Sequence, residues 1–182
     1  LKSWDIPFEI DFARPEFRNN FYGIGNNSTN LQELQDDGYY RFSRNKFSVE
    51  TGIGKQFWKK SSLDFLVGYE TSSFDDPKNT ILAVDSTLFG ANINLGEIPL
   101  KARAVIDFRD QAGFPYNGIL WLLDYRFGTI VDGVPEATTY GIAESSIEYY
   151  ISTKHQNPIT LGVRLGGAVS HGDVPFYHLP NI

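Results

Sequence analysis

The sequence predicts an all-β protein of about eight consecutive antiparallel strands, and three observations carry that prediction. Apolar and polar residues alternate with a period of two along most of the 182 residues, and no stretch is long enough to name as a helix. Segments rich in Gly, Pro, Asn and Asp separate the alternating runs. Aromatic residues are numerous (14 Phe, 10 Tyr and 3 Trp), yet the mean hydropathy is only −0.27. Apolar side chains placed at every second position explain both values.

The predicted strands follow one another along the chain, each with one apolar face. They are residues 4–12, 47–57, 63–69, 89–95, 100–108, 119–127, 141–151 and 159–169. Turn-forming residues separate several of them, at 75–79, 113–118, 132–135 and 155–158, and residues 13–38 make the longest connection. No linker divides the chain, so residues 1–182 are predicted to belong to a single domain.

The two faces of these strands leave two architectures open. One face is aromatic and aliphatic, and the other carries Gly and charges of both signs. A soluble β-sandwich would bury the apolar face as its core, whereas an outer-membrane barrel would turn it toward lipid. Strands of about 9–14 residues exceed the ~5–6 residues of most globular sheets and suit the ~9–11 of a membrane crossing. Aromatic residues near strand ends, such as Trp4, Phe57 and Trp121, also favour the barrel.

Composition excludes several classes of function. The chain has 16 Lys and Arg against 22 Asp and Glu, a net charge of −6, and no basic stripe, which argues against nucleic-acid binding. The absence of Cys removes disulfide frameworks, thiolate metal sites and Cys nucleophiles. There is no Met, even at position 1, so we expect the native protein to be longer than this sequence.

The first notable motif is D-x-R-D-x-x-x-x-P-x-x-G between two predicted strands. Its fixed residues are Asp107, Arg109, Asp110, Pro115 and Gly118. Two carboxylates beside an arginine are compatible with catalysis, but no second nucleophile accompanies them. A charged turn ordered by Asp–Arg hydrogen bonds is the favoured interpretation, and we predict no enzymatic constellation in this sequence.

The second motif occupies residues 165–180, after the last predicted strand. Its characteristic residues are Gly166, Gly167, Gly172, Asp173, Pro175, Phe176, Leu179 and Pro180. His171, Asp173 and His178 are possible metal ligands by residue type, but their spacing matches no established ligand pattern. We therefore predict neither a metal nor a cofactor.

Both motifs resemble those of the BamA/TamA-like bacterial surface antigen family of outer-membrane β-barrels. The segment Asn-Phe-Tyr-Gly-Ile-Gly-Asn-Asn at 20–27 is similar to a turn of those members whose barrel follows a calcineurin-like phosphoesterase domain. The resemblance implies that the chain holds about eight consecutive middle strands of a larger antiparallel transmembrane barrel of about 16 strands. It also implies an outer-membrane location, contact with lipid and with client or partner envelope proteins, and a role in their insertion or translocation.

Two alternatives remain open at this point. In the first, the barrel anchors a fused phosphoesterase. In the second, the chain is a soluble secreted β-sandwich that binds carbohydrate.

In the barrel interpretation the charged face lines the interior, where it forms cross-strand ion pairs or a lumen. In relatives a later loop folds back into the barrel, and the inward residues would receive it. These residues are Glu50, Glu70, Lys101, Arg103, Asp124, Arg126, Glu144, Glu148 and Arg164.

Overall fold

The computed structural model describes residues 4–20, 31, 33, 39–58, 60–74, 94–134, 136–153 and 158–179. In this part of the chain the structure is an eight-stranded antiparallel sheet with one short 3₁₀-helix, Phe176–His178. The strands are β1 (Trp4–Asp5), β2 (Phe8–Asn20), β3 (Arg41–Gln56), β4 (Ser62–Phe74), β5 (Asn94–Asp107), β6 (Gly118–Asp132), β7 (Thr138–Ser152) and β8 (Thr160–Gly172). The predicted all-β antiparallel fold is confirmed.

The sheet follows the order of the chain. Both β1 and β2 pair with β3, and from β3 to β8 each strand pairs with the next. The described pairings leave an open sheet, with β1 and β2 at one edge and β8 at the other. Closure into a barrel therefore stays a prediction. Among the described residues, no helix is long and apolar enough to cross a membrane.

The register of the strands places apolar residues opposite one another across the sheet. Ile53 pairs with Phe65, Phe65 with Ala102, and Ala102 with Tyr125. Because the side chains of a strand alternate between faces, this register collects the apolar positions of successive strands on one face. We call this face the apolar face and the opposite one the polar face.

The structure corrects the predicted boundaries at the start of the chain. Residues 4–12 form two strands, because Pro7 lacks an amide proton and interrupts the ladder between β1 and β2. The second strand then continues to Asn20, so the first part of the predicted 13–38 connection is β-structure. Register shifts around Glu16 break the apolar–polar alternation there, so the sequence pattern did not predict that the strand continues.

A second correction concerns the two strands predicted at 89–95 and 100–108. The structure has one strand, β5, from Asn94 to Asp107, and residues 89–93 lie outside the described residues. Residues 96–99 lie between the two predicted strands, but the structure includes them in β5, with a register shift between Gly96 and Glu97 in the pairing with β6. A bulge absorbs an extra residue without ending a strand.

The hydrophobic core is small and lies at one end of the polar face. It consists of Phe74, Leu95, Ile130, Tyr140, Ile142 and Phe176. Five of these residues come from β4 to β7, and Phe176 comes from the segment that follows β8. The core therefore joins the last described segment of the chain to the sheet.

Candidate functional site

The burial of the two faces is the reverse of that in a water-soluble sheet. On the apolar face, large side chains are exposed, including Phe8 at 65%, Phe65 at 51% and Leu165 at 72%. The polar face contains the buried polar residues of the strands, which are Arg44, Ser48, Glu50, Glu70, Ser72, Glu97 and Asp107. Charged residues are almost never fully buried unless they are paired. The candidate site is therefore sought on the polar face.

Two buried glutamates form the centre of this face. Glu70 of β4 and Glu97 of β5 lie directly opposite each other in the register, and they are 0% and 2% exposed. Like charges in this position repel each other. Arg126 of β6 offsets the repulsion, since its Nη2 donates to Glu70 Oε2 at 3.2 Å and also contacts Glu97 Oε1.

A second arginine and a lysine complete the pairing from the other side. Arg44 of β3 contacts Glu70 Oε1 and donates from Nε to Ser72 Oγ at 3.0 Å. Lys46 Nζ lies 2.9 Å from Asp11 Oδ2 and 3.8 Å from Glu70 Oε2. Three carboxylates therefore face three basic side chains, so the formal charges balance. We call these six residues (Asp11, Arg44, Lys46, Glu70, Glu97 and Arg126) the ion-pair network.

Tyr140 of β7 links the network to the hydrophobic core. It is 1% exposed, and its hydroxyl donates to Glu97 Oε2 at 2.8 Å while accepting from Arg126 Nε at 3.0 Å. A buried phenol with both a donor and an acceptor partner is fully satisfied. Tyr140 therefore fixes the orientation of both charged partners.

Residues 174–179, which we call the strap, fold back onto this network after β8. The reversal begins at Gly172, whose φ of +74° is a conformation that other residues rarely adopt, and Asp173 N donates to Thr139 O at 3.1 Å. Pro175 precedes the 3₁₀-helix, in which His178 N donates to Pro175 O at 2.9 Å. The short helix presents three consecutive side chains to the polar face.

The aromatic residues of the strap attach it to the sheet. Phe176 is buried in the hydrophobic core, and its ring lies 5.9 Å from that of Phe74. Arg44 Cζ lies 4.3 Å from the ring centre of Tyr177, which is a cation–π contact. Burial raises the pKa of the Tyr177 phenol, so this side chain stays neutral.

His178 carries the polar contact of the strap with the network. Its Nε2 lies 2.9 Å from Glu97 Oε1, 3.2 Å from Arg126 Nη2 and 3.8 Å from Glu70 Oε1. Its ring stacks on Tyr140 with a centroid distance of 5.7 Å. Burial lowers the pKa of His178, and the hydrogen bond to Glu97 offsets only part of that effect. The side chain is therefore docked as a neutral imidazole.

The arrangement of Glu70, Glu97 and His178 has the ligand types of a metal site. One ligand atom from each residue lies within 4.8 Å of the others. However, Arg44 and Arg126 contact the same carboxylate oxygens, so a cation placed there would face two guanidinium groups. Buried carboxylates paired with arginines need no metal for charge balance. We interpret the cluster as an ion-pair site.

The structure brings together the residues of the first motif in the turn between β5 and β6. Asp107 Oδ1 accepts from Arg109 N at 2.9 Å and from Arg109 Nε at 3.0 Å, and Oδ2 accepts from Nη2 at 2.9 Å. Asp110 accepts from the backbone N–H groups of Gln111, Tyr116 and Asn117. Gly118 has a φ of +127°, and an added Cβ would lie 2.5 Å from Phe108 O. Pro115 is half-buried within this turn.

The residues of the second motif are divided between β8 and the strap. Gly166 and Gly167 lie in β8, where an added Cβ on Gly167 would meet nothing within 4 Å. Asp173 and Pro175 lead into the 3₁₀-helix, and Leu179 packs against the core. Pro180 lies outside the described residues, as does most of the 20–27 segment.

The structure does not bring together the three possible metal ligands named from the sequence, His171, Asp173 and His178. His171 projects on the apolar face, where its Nε2 lies 3.3 Å from the Tyr125 hydroxyl, whereas His178 contacts the polar face. Side chains on opposite faces of one sheet cannot share an ion.

Sequence reasoning missed five members of the site, which are Asp11, Arg44, Lys46, Glu97 and Tyr140. Arg44 lies before the first apolar residue of the strand predicted at 47–57, where Ser43 and Asn45 supply no alternation. Glu97 lies between the two strands predicted at 89–95 and 100–108, so the pattern assigned it to neither face. Extending the period-two pattern of 47–57 backward would have placed Arg44 and Lys46 on the same face as Glu50.

Comparison of the chain with family models, with curated proteins and with solved structures finds no match.

Proposed function

We propose that this chain is part of the wall of a transmembrane β-barrel in a bacterial outer membrane. The observation that supports this most is the reversed burial of the two faces. Charged residues of the polar face pair with one another under the strap, while aromatic and aliphatic residues of the apolar face stay exposed. Lipid is the environment in which such a face is stable.

The extent of the exposed apolar surface supports the same proposal. Thirty large hydrophobic side chains are exposed in the described part of the chain. Water-soluble monomers rarely expose contiguous apolar patches of more than a few hundred Å². Removing one such side chain from water is worth about 1.5–3 kcal/mol, so the whole face strongly favours an apolar surrounding.

Aromatic residues at one end of the sheet fit a membrane interface. Trp58 and Phe108 stack edge to face at 4.9 Å, and Trp58 is 57% exposed. At the same end, Lys55 Nζ lies 4.6 Å from the ring centre of Trp4. Tryptophan and lysine of this kind are enriched at the level of the lipid headgroups.

Within this proposal, the function is assistance to the insertion or translocation of other envelope proteins. It depends on the resemblance of the 107–118 turn and of the segment that ends in the strap to the BamA/TamA-like surface antigen family. The barrel would act by opening or thinning its wall, without bond chemistry. The soluble β-sandwich has less support, because its core would be the face that is exposed here.

A reconstitution experiment tests both parts of the proposal. The full-length protein should float with liposomes in a density gradient and resist extraction by urea at alkaline pH. Proteoliposomes should then fold an unfolded outer-membrane barrel, added from urea, about tenfold faster than liposomes with an equal mass of a general porin. Equal folding rates would contradict the assembly function, and extraction by urea would contradict the membrane location.

A further inference from the structure

The docked strap depends on one ring nitrogen inside a charge-balanced network. In the neutral imidazole, His178 Nε2 donates to Glu97 Oε1 at 2.9 Å when the ring proton is on Nε2. It cannot also accept from Arg126 Nη2, which lies 3.2 Å away. The neutral imidazole therefore adds a charge-assisted hydrogen bond without adding charge.

We propose that His178 is a pH-sensitive latch: the strap stays docked on the polar face while the imidazole is neutral and is released in mildly acidic solution. This inference is independent of the lipid assignment, because it concerns contacts within the chain. It requires that a second proton on His178 be opposed by its surroundings.

The charged groups around His178 supply that opposition. These charged groups are the members of the ion-pair network, namely Asp11 of β2, Arg44 and Lys46 of β3, Glu70 of β4, Glu97 of β5 and Arg126 of β6. The titratable phenols of Tyr140 and Tyr177 complete the set, and both are neutral at acidic pH. Three acidic and three basic residues already balance, so an imidazolium would be an uncompensated charge.

Burial makes that charge costly. The His178 side chain is 12% exposed, and water can solvate little of an imidazolium in this position. A released strap would return His178 to solvent, where the imidazole takes up a proton with an ordinary pKa of about 6.5. Protonation therefore favours release.

The direction of the pH dependence follows from this difference. Burial lowers the pKa of docked His178, so the docked strap binds fewer protons than the released strap. Docking is at full strength above about pH 6.5 and weakens as the pH falls toward the pKa of the docked state. In that window the ratio of docked to released strap falls by up to about tenfold per pH unit.

The strap is attached at few points, which makes release of this segment plausible without unfolding of the sheet. Phe176 and Leu179 pack against the core, and Tyr177 contacts Arg44, but no strand pairing of β1 to β8 involves residues 174–179. A segment with few backbone hydrogen bonds has a lower free energy of local opening than the strands against which it packs.

Spin-label mobility tests the proposal in the full-length protein in detergent micelles. Residues 1–182 contain no Cys, so Leu179→Cys places a single nitroxide label on the strap once any Cys outside this range is replaced by Ser. We expect the mobile fraction of the spectrum to rise several-fold between pH 7.5 and pH 5. The matched control is Gly113→Cys, in an exposed turn where an added Cβ meets nothing within 4 Å, and its label should be mobile at both pH values.

His178→Gln identifies the titrating group, because glutamine keeps a donor for Glu97 but does not titrate in this range. In the Leu179→Cys background, it should leave the label immobile from pH 7.5 to pH 5. A pH-independent spectrum with His178 present, or the same rise with His178→Gln, would overturn the proposal. If the glutamine variant folds poorly, NMR titration of the unsubstituted protein decides: the midpoint of His178 should lie below the ordinary imidazole pKa of about 6.5, and a midpoint at or above that value contradicts the latch.

Discussion

Tyr69 and Glu70 are neighbours in β4, yet their surroundings differ completely. Glu70 is 0% exposed on the polar face, where Arg44, Lys46 and Arg126 neutralise it, whereas Tyr69 is 41% exposed on the apolar face. The same contrast recurs at the neighbours Glu97 and Ile98 of β5, which are 2% and 41% exposed. The chain thus covers its own charges and leaves its apolar side chains uncovered. In the proposed assignment, lipid covers the apolar face, and the polar face supplies the internal cohesion.

The largest predicted effect is the loss of a glutamate from the ion-pair network. Glu70→Ala removes a partner of buried Arg44 and of partly buried Arg126, and breaking a buried pair in this way costs about 3–5 kcal/mol. We expect this loss in the free energy of unfolding, measured by urea titration of the full-length protein in detergent or lipid.

An exposed pair on the same sheet serves as the matched control. Arg103 Nε donates to Asp124 Oδ2 at 3.0 Å, but the two side chains are 46% and 38% exposed. Asp124→Ala should therefore cost only about 0.2–1 kcal/mol. Equal losses for Glu70→Ala and Asp124→Ala would show that the polar face has no buried network.

The next effect concerns the apolar face. Leu100 lies in the middle of β5 and is 48% exposed. Leu100→Lys should cost about 2–4 kcal/mol if this position faces the centre of a bilayer. In water the same substitution at an exposed site should change stability by less than about 0.5 kcal/mol.

The measurement for Leu100→Lys is reversible unfolding in lipid vesicles, with Leu100→Phe as the control that keeps the face apolar. A lysine variant as stable as the phenylalanine variant would contradict a lipid contact at this position.

A smaller effect is expected at the 107–118 turn. Arg109→Ala leaves the buried carboxylate of Asp107 without its forked partner, and hydrogen bonds to charged groups are worth about 1.5–3 kcal/mol. Arg109→Lys should recover only part of the loss, because lysine cannot form the two parallel bonds. Heat-modifiable gel mobility measures the folded fraction, and unchanged folding of Arg109→Ala would contradict a structural role for the motif.

Much of the fold could be predicted because alternation is a local property of the sequence. The period-two pattern located all the described strands from β3 to β8, at least in part. It failed where the backbone departs from regular geometry, at Pro7, around Glu16 and at Gly96. A bulge shifts the phase of the apolar–polar alternation, so the pattern predicts the end of a strand at a position where the strand continues.

The site was harder to predict, because register and chain reversal decide which residues meet. Glu70, Lys101 and Arg126 could be assigned to one face from alternation alone. That Glu70 opposes Glu97, or that His178 returns to lie between Glu97 and Arg126, depends on strand pairing and on the turn at Gly172. Nothing local in the sequence specifies these contacts across the sheet.

The central claim, that the apolar face contacts lipid and the polar face does not, is tested most directly at two adjacent residues of β6. Trp121 projects on the apolar face and Leu122 on the polar face. We would compare the quenching of tryptophan fluorescence by acyl-brominated lipid in two full-length variants that each retain one tryptophan among residues 1–182. The first keeps Trp121, with Trp4→Phe and Trp58→Phe. The second adds Trp121→Phe and Leu122→Trp. Strong quenching in the first variant and weak quenching in the second is the predicted result, and equal quenching in both would contradict the claim.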